Sequence, residues 1–163
     1  MKTKLTPLPM DFKVGLHVFA DGTCHPNPGA GGWAFVVYQN GNEIHHESGA
    51  ASRTTNNRME LSAVLAALEW IGKNVTAETA SLHSDSSYAV LGCNKWRKGW
   101  KKRAWRKGGA EIPNADLWKR LDEALAVTPI QLNWVRGHSG IRGNVRADRL
   151  AEKACRSPSK EAA

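Results

Sequence analysis

Thr54-Thr55-Asn56-Asn57-Arg58-Met59-Glu60-Leu61 marks the place where this chain changes its period. Beyond it, Ala63, Leu65, Ala67, Leu68 and Trp70 continue an apolar-rich pattern that predicts a helix to about Trp70. Asn57 followed three residues later by Glu60 has the form of a capping box, which satisfies orphan backbone donors at a helix start. The same octet joins amide side chains to a carboxylate. It therefore also suits contact with a phosphate-rich ligand and the holding of a metal. Both readings stand on the octet alone.

Upstream, apolar and β-branched residues predict a strand over Leu16 to Ala20, stopping at Asp21-Gly22. A glycine-rich loop, 26–32, precedes a second strand over Trp33 to Tyr38. Asn40-Gly41 is a two-residue hairpin signal that leads into a third strand, Glu43 to Ala51. Three strands with short connections argue for antiparallel pairing. Downstream, Thr79 to Ser84 predicts a strand ending at Asp85, and Ser86 to Trp96 a helix. Asn114 or Asp116 caps a further helix, with Leu117, Leu121 and Leu125 at four-residue spacing. Ile130 to Val135 reads as a fifth strand, 137–140 as a turn, and Asn144 to Cys155 as a last helix. The order β-β-β-α-β-α-α-β-α belongs to the α/β class, a five-stranded mixed sheet flanked by helices. One domain is expected over 14–156, with a flexible leader at 1–13 and a flexible tail at 157–163.

Composition narrows the function. No run approaches eighteen apolar residues, so no membrane span is expected, and the N-terminus has no apolar signal-peptide core. Cys24, Cys93 and Cys155 match neither a disulfide framework nor a zinc spacing, so a reduced, cytoplasmic setting is the default. The net charge of +8 is concentrated. Residues 95–107 hold eight Lys and Arg and no acid, and the 15 basic residues elsewhere equal the 15 acids of the whole chain. Trp96, Trp100 and Trp105 are interleaved there, able to pack the segment down or to offer flat faces to a sugar or base. Nucleic acid, an anionic membrane and a merely solvated basic helix all fit such a segment.

The acids fall at informative places on this outline. Asp21 ends the first strand, Glu60 opens the first helix, Asp85 ends the fourth strand, Asp148 lies in the last helix, and His138 follows the fifth strand. Singly, each has an ordinary explanation as a turn, a cap or a solvated charge. Together, carboxylates at one end of a sheet repel one another unless cations neutralise them. Magnesium, a hard ion that takes carboxylates, waters and phosphate oxygens, is the expected partner. A basic arm beside an acidic metal site describes a nuclease.

Five ordered motifs carry a specific resemblance: Asp21-Gly22-Thr23-Cys24 with Asn27-Pro28-Gly29, the opening octet, Ser84-Asp85-Ser86-Ser87-Tyr88, Trp134-Val135-Arg136-Gly137-His138-Ser139-Gly140, and Gly143-Asn144 with Ala147-Asp148. Over residues 15 to 155 the chain resembles type 1 ribonuclease H. That resemblance implies a ribonuclease H-like fold with three antiparallel strands followed by two parallel ones. It also implies an endonuclease that cuts the RNA strand of RNA–DNA hybrids, leaving 5′-phosphate and 3′-hydroxyl ends. Asp21, Glu60, Asp85 and Asp148 resemble the carboxylates that hold two Mg2+ ions, with Mn2+ a possible substitute, and His138 the proton-handling or product-release histidine. Cys24, Asn27, Thr55, Asn56 and Asn57 resemble the nucleic-acid contacts. Residues 95–107, with Trp96, Trp100, Lys101, Lys102 and Arg103, resemble a substrate-binding basic handle. A monomer is expected. The chain departs from many relatives at Ser87, Leu91 and Val145, and none of these is an implied metal ligand. A non-catalytic hybrid-binding module on the same fold is the alternative.

Overall fold

A computed structural model describes residues 14–157; the expected leader and all but the first residue of the expected tail lie outside these. Strands β1 (Leu16–Cys24), β2 (Gly29–Gln39) and β3 (Asn42–Thr54) form an antiparallel meander that runs into α1 (Asn56–Asn74). Strand β4 (Ala80–Ser84) follows, then α2 (Ser87–Leu91), a wide π-type turn over Gly92–Trp96, and α3 (Arg97–Lys102). A small ribbon, β5 (Arg106–Lys107) with β6 (Ala110–Glu111), precedes α4 (Ala115–Val127), β7 (Leu132–Trp134) and α5 (Arg142–Cys155). The main sheet has the order β3-β2-β1-β4-β7, with β4 parallel to β1 and β7 parallel to β4. Three antiparallel and two parallel strands are what the family resemblance implies.

Strand alternation divides the core. Leu16, Val18 and Ala20 of β1, with Phe35 and Val37 of β2, face α1 and α4, where Leu61, Leu68, Trp118 and Leu121 close the larger core. Phe19, Ala34, Val36 and Tyr38 face the other way, onto Ala147, Leu150 and Ala151 of α5. Two glycines seat α5: a Cβ on Gly143 would lie 2.2 Å from the Phe19 ring, and one on Gly32 would lie 2.2 Å from the Ala151 carbonyl.

Several boundaries differ from the sequence expectation. Strand β1 does not stop at Asp21 but continues to Cys24, because Asp21, Gly22 and Thr23 keep pairing with Ala34, Trp33 and Gly32. The predicted glycine-rich loop shortens accordingly, and β2 begins at Gly29. The N-cap of α1 is Thr55, whose hydroxyl accepts from the Arg58 N–H at 3.2 Å, so the expected Asn57–Glu60 capping box does not form. Asp85 is no cap either, since Ser86 takes that position for α2 and accepts from Ala89 N–H. The α2 helix does not end near Trp96. The π-type turn carries it into α3, with Gly92 lying so close to Trp118 that a Cβ would sit 2.0 Å from the indole.

One buried polar group on this frame is conspicuous. His83 of β4 is 2% exposed and stacks on Phe19. His17 bonds the Val14 carbonyl through Nε2, so its Nδ1 accepts from His83 Nε2–H at 2.9 Å. That leaves His83 Nδ1 buried without a partner. Burial, with the His17 neighbour, pushes the His83 pKa from 6.5 down to about 3. Unfolded His83 therefore binds a proton that the folded form refuses, and the folded state loses stability as pH falls from 6.5 toward 3. His83→Leu should flatten this part of the acid sensitivity. Denaturant midpoints of both proteins at about pH 7 and about pH 4.5 check it; an equal drop in both would show that His83 does not contribute.

Candidate active site

The register of the parallel pair makes the site. Ala20 of β1 pairs with Ser84 of β4, so the next residues, Asp21 and Asp85, emerge side by side. Glu60 comes from the first turns of α1, and Gly22 lets it approach. A Cβ on Gly22 would lie 2.3 Å from the Met59 carbonyl carbon and 2.4 Å from the Glu60 nitrogen. Any larger residue would push the helix start away from β1. Oxygens of Asp21, Glu60 and Asp85 consequently lie within 4.8 Å of one another. Asp148 of α5 stands outside this tight trio but close enough for its charge to act on Asp21 and Asp85.

Three carboxylates cannot share this space ionised without compensation. Burial first, then the Asp85 charge, pushes Asp21 up to about 8. Glu60 is raised well above its ordinary value, by burial and then by Asp21, and its Oε2 is buried with no hydrogen-bond partner. Asp85 is raised chiefly by burial, although Asn144 donates to its Oδ2 at 3.4 Å. A buried orphan oxygen among converging acids fits a hard divalent cation, which would supply the missing charge and accept the unpaired donor atoms.

The other expected residues are distributed around this centre. His138 follows β7 in the left-handed conformation (φ 56°), and its charge acts on Asp85. Gly137 packs against the same carboxylate, with a Cβ there 3.1 Å from Asp85 Oδ2. Asn27 accepts from the Asn56 N–H at 3.1 Å, which joins the loop before β2 to the start of α1. Asn57 is exposed beside them. Thr55 uses an oxygen lone pair as the helix cap and keeps its O–H to donate. Cys24 is buried, its thiol aimed at the carbonyls of Pro26, Gly29 and Thr54, so any ligand contact from Cys24 would come from its main chain.

The basic handle is anchored rather than free. Asp122, buried on α4, pairs with Arg97 and with Lys101, the latter at 2.8 Å. Trp100 packs on Trp118 at a centroid distance of 5.0 Å, while Trp96 remains exposed and Lys102 and Arg103 point to solvent. Nothing in the motif spacing marks Asn144 as a partner of Asp85. Asp122 does leave a trace, because an acid on the apolar face of α4, between Leu121 and Leu125, requires a partner.

The ribonuclease H family model matches residues 13–156. This chain belongs to the ribonuclease H family. It is 45% identical over 140 residues to the ribonuclease H of Granulibacter bethesdensis, covering 85% of this chain and 91% of the relative. It is 46% identical over 134 residues to the ribonuclease H of Methylorubrum extorquens, covering 82% of this chain and 57% of that longer protein. Its fold is similar to LC9-RNase H1, a type 1 enzyme with the type 2 active-site motif, at a TM-score of 0.76 and 27% identity over 93% of this chain and 75% of that one. Family membership agrees with the strand order and with the acidic trio.

A raised acid pKa has a stability consequence. Between the unfolded value near 3.8 and the folded value of about 8, folded Asp21 holds a proton that the unfolded chain lacks. Stability of the metal-free protein should therefore fall as pH rises through that window. Asp21→Asn should remove most of the fall, and millimolar Mg2+ should restore the wild type near pH 8 by mass action. Thermal unfolding across pH, with EDTA or Mg2+, checks this.

Proposed function

We propose that this ribonuclease H hydrolyses the RNA strand of RNA–DNA hybrids, with Asp21, Glu60, Asp85 and Asp148 holding two Mg2+ ions, or Mn2+ in their place. The observation that carries the reading is the convergence of the buried Asp21 and Glu60 with the half-buried Asp85, in a chain whose residues 95–107 hold eight basic residues and no acid. Divalent ions bound there would supply an activated water and charge stabilisation for the departing oxygen, consistent with 5′-phosphate and 3′-hydroxyl ends.

The residues of the chain have separable tasks. Asp21, with Glu60 and Asp85 on either side, would serve as the ligand shared by the two cations. Glu60, besides its metal role, is assigned to accept from a ribose 2′-hydroxyl, the group by which a protein tells RNA from DNA. His138, on a turn beside Asp85, handles a proton or assists product release. Asn27, Asn56 and Asn57 present amides at the mouth of the site for minor-groove contacts, and the Thr55 hydroxyl is free to donate to a phosphate. Lys102, Arg103 and the exposed Trp96 face the DNA strand, while Lys101 contributes charge from its pair with Asp122. The enzyme is proposed to act as a monomer. Three free, buried cysteines accord with a reducing cytoplasmic setting.

A labelled hybrid incubated with Mg2+ should yield RNA fragments, with double-stranded RNA and DNA left intact. Asp21→Asn should abolish cutting and largely spare binding, whereas cutting at the wild-type rate would remove the carboxylate assignment. A non-catalytic hybrid-binding module would bind the hybrid identically with EDTA or Mg2+ and leave it whole.

The handle gives an independent measurement. Lys102→Ala with Arg103→Ala should raise KM, leave kcat near wild type, and lower the slope of log affinity against log salt by about one to two. Lys101 is retained so that Asp122 keeps both partners. An unchanged slope would show that these side chains do not touch the hybrid.

A further inference from the structure

We propose that Glu152, tied to Thr23 and His25, is a positioning residue that sets where α5 presents Asp148 to the other three carboxylates, and so tunes how tightly the site holds a divalent cation. The proposal rests on the reading of the acidic site as a metal site.

Strand β1 and helix α5 meet along two matching ladders. Asp21 and Thr23 are two residues apart, on the same side of β1, and Asp148 and Glu152 are one helical turn apart on α5. The Thr23–Glu152 contact is thus one rung beyond the place where Asp21 and Asp148 face each other. Thr23 Oγ1 donates to Glu152 Oε1 at 3.0 Å, and His25 Nε2 lies 2.9 Å from that same oxygen and 2.9 Å from Thr23 Oγ1. Thr23 has a single hydroxyl proton and gives it to Glu152. The triangle closes when His25 Nε2 carries a hydrogen shared between the other two. Thr23 is 6% exposed, so its half of the tie is shielded from competing water.

Other polar contacts hold α5 toward its ends, from Arg142 to the Gly41 carbonyl, Asn144 to Asp85, Arg146 to Glu43 and the Cys155 thiol to the Ala30 carbonyl, while the buried face between them is apolar. Ala147, Leu150 and Ala151 pack on Phe19, Ala34, Val36 and Tyr38, and such contacts set the height of a helix over a sheet without fixing its direction sharply. A three-membered hydrogen-bonded tie is directional. Asp148 is the one predicted carboxylate outside the tight trio, so its reach depends most on the placement of α5. Glu152 makes no contact with Asp21, Glu60 or Asp85 among the described hydrogen bonds, and it acts through the helix that it shares with Asp148.

The test is titration of Mg2+ or Mn2+ alone into hybrid-free protein, followed by calorimetry, together with the metal-induced rise in Tm. Glu152→Ala should weaken cation affinity about tenfold, the size of effect seen when an outer partner of a metal ligand is lost. Hybrid affinity in EDTA should stay at the wild-type value. Glu152→Gln keeps a carbonyl oxygen that accepts the same two bonds, and should remain within about twofold of wild type. Thr23→Val, nearly equal in volume, should reproduce part of the alanine effect even if Glu152→Ala folds poorly. In an Asp148→Asn background, Glu152→Ala should have no further effect on cation affinity. Wild-type affinity in both Glu152→Ala and Thr23→Val, with Asp21→Asn already defective, would overturn the proposal and leave the acidic site standing. Glu152→Gln as weak as Glu152→Ala would overturn it in favour of simple charge. Wild-type cation affinity in Asp21→Asn would remove the metal-site reading itself.

Discussion

A close approach of backbone to backbone at Gly22 governs the chemistry of this molecule. Strand β1 can pass within contact distance of the α1 start only because no side chain intervenes, with a Cβ there falling 2.3 Å from Met59. That approach brings a strand carboxylate and a helix carboxylate together, while the parallel register of β1 and β4 adds the third. The like charges that result are energetically unfavourable for the folded chain by itself, as the upward shifts of Asp21 and Glu60 show. Stability is given up at this place so that a cation has something to neutralise.

The architecture was legible because it rests on signals that act locally. Asn40-Gly41 makes the first hairpin turn, β-branched and aromatic residues fill the strands, and the four-residue spacing of Leu117, Leu121 and Leu125 buries one face of α4. Local signals misled where tertiary pairing prevailed. Asp21 and Gly22 are poor strand formers, yet the strand continues through them because β2 supplies partners as far as Gly31. Asn57 looked like a cap, but Thr55 has the extended backbone (φ −130°, ψ 162°) that capping requires. The β5–β6 ribbon was hidden in a run of lysines and arginines, and only its Gly108-Gly109 turn, with both φ values positive, hints at it.

The site divides in the same way. Asp21, Glu60 and Asp85 could be chosen from motif and position, and the fold brings them together. Asp148 could be chosen on the same grounds, but its distance from the others depends on how α5 seats on the sheet, which no spacing encodes. Supporting contacts such as Asn144 on Asp85 and Gly137 against the same carboxylate join residues far apart in the chain. Cys24 shows the converse, since a motif position was visible but the inward direction of its thiol was not.

The anchoring of the basic handle has a thermodynamic meaning. A positively charged arm on a loose tether would have to be ordered each time it met a polyanion, and the ordering would oppose binding. Here Asp122 fixes Arg97 and Lys101, and Trp100 rests on Trp118. The backbone that carries the charges is thus held in place before any ligand arrives. Encounter with a long anionic rod then resembles the docking of two preformed surfaces, with electrostatic steering acting on a rigid target. If the handle meets a duplex as proposed, the same rigidity would limit the shapes that the array can follow, and discrimination among duplex geometries would depend in part on the buried Asp122.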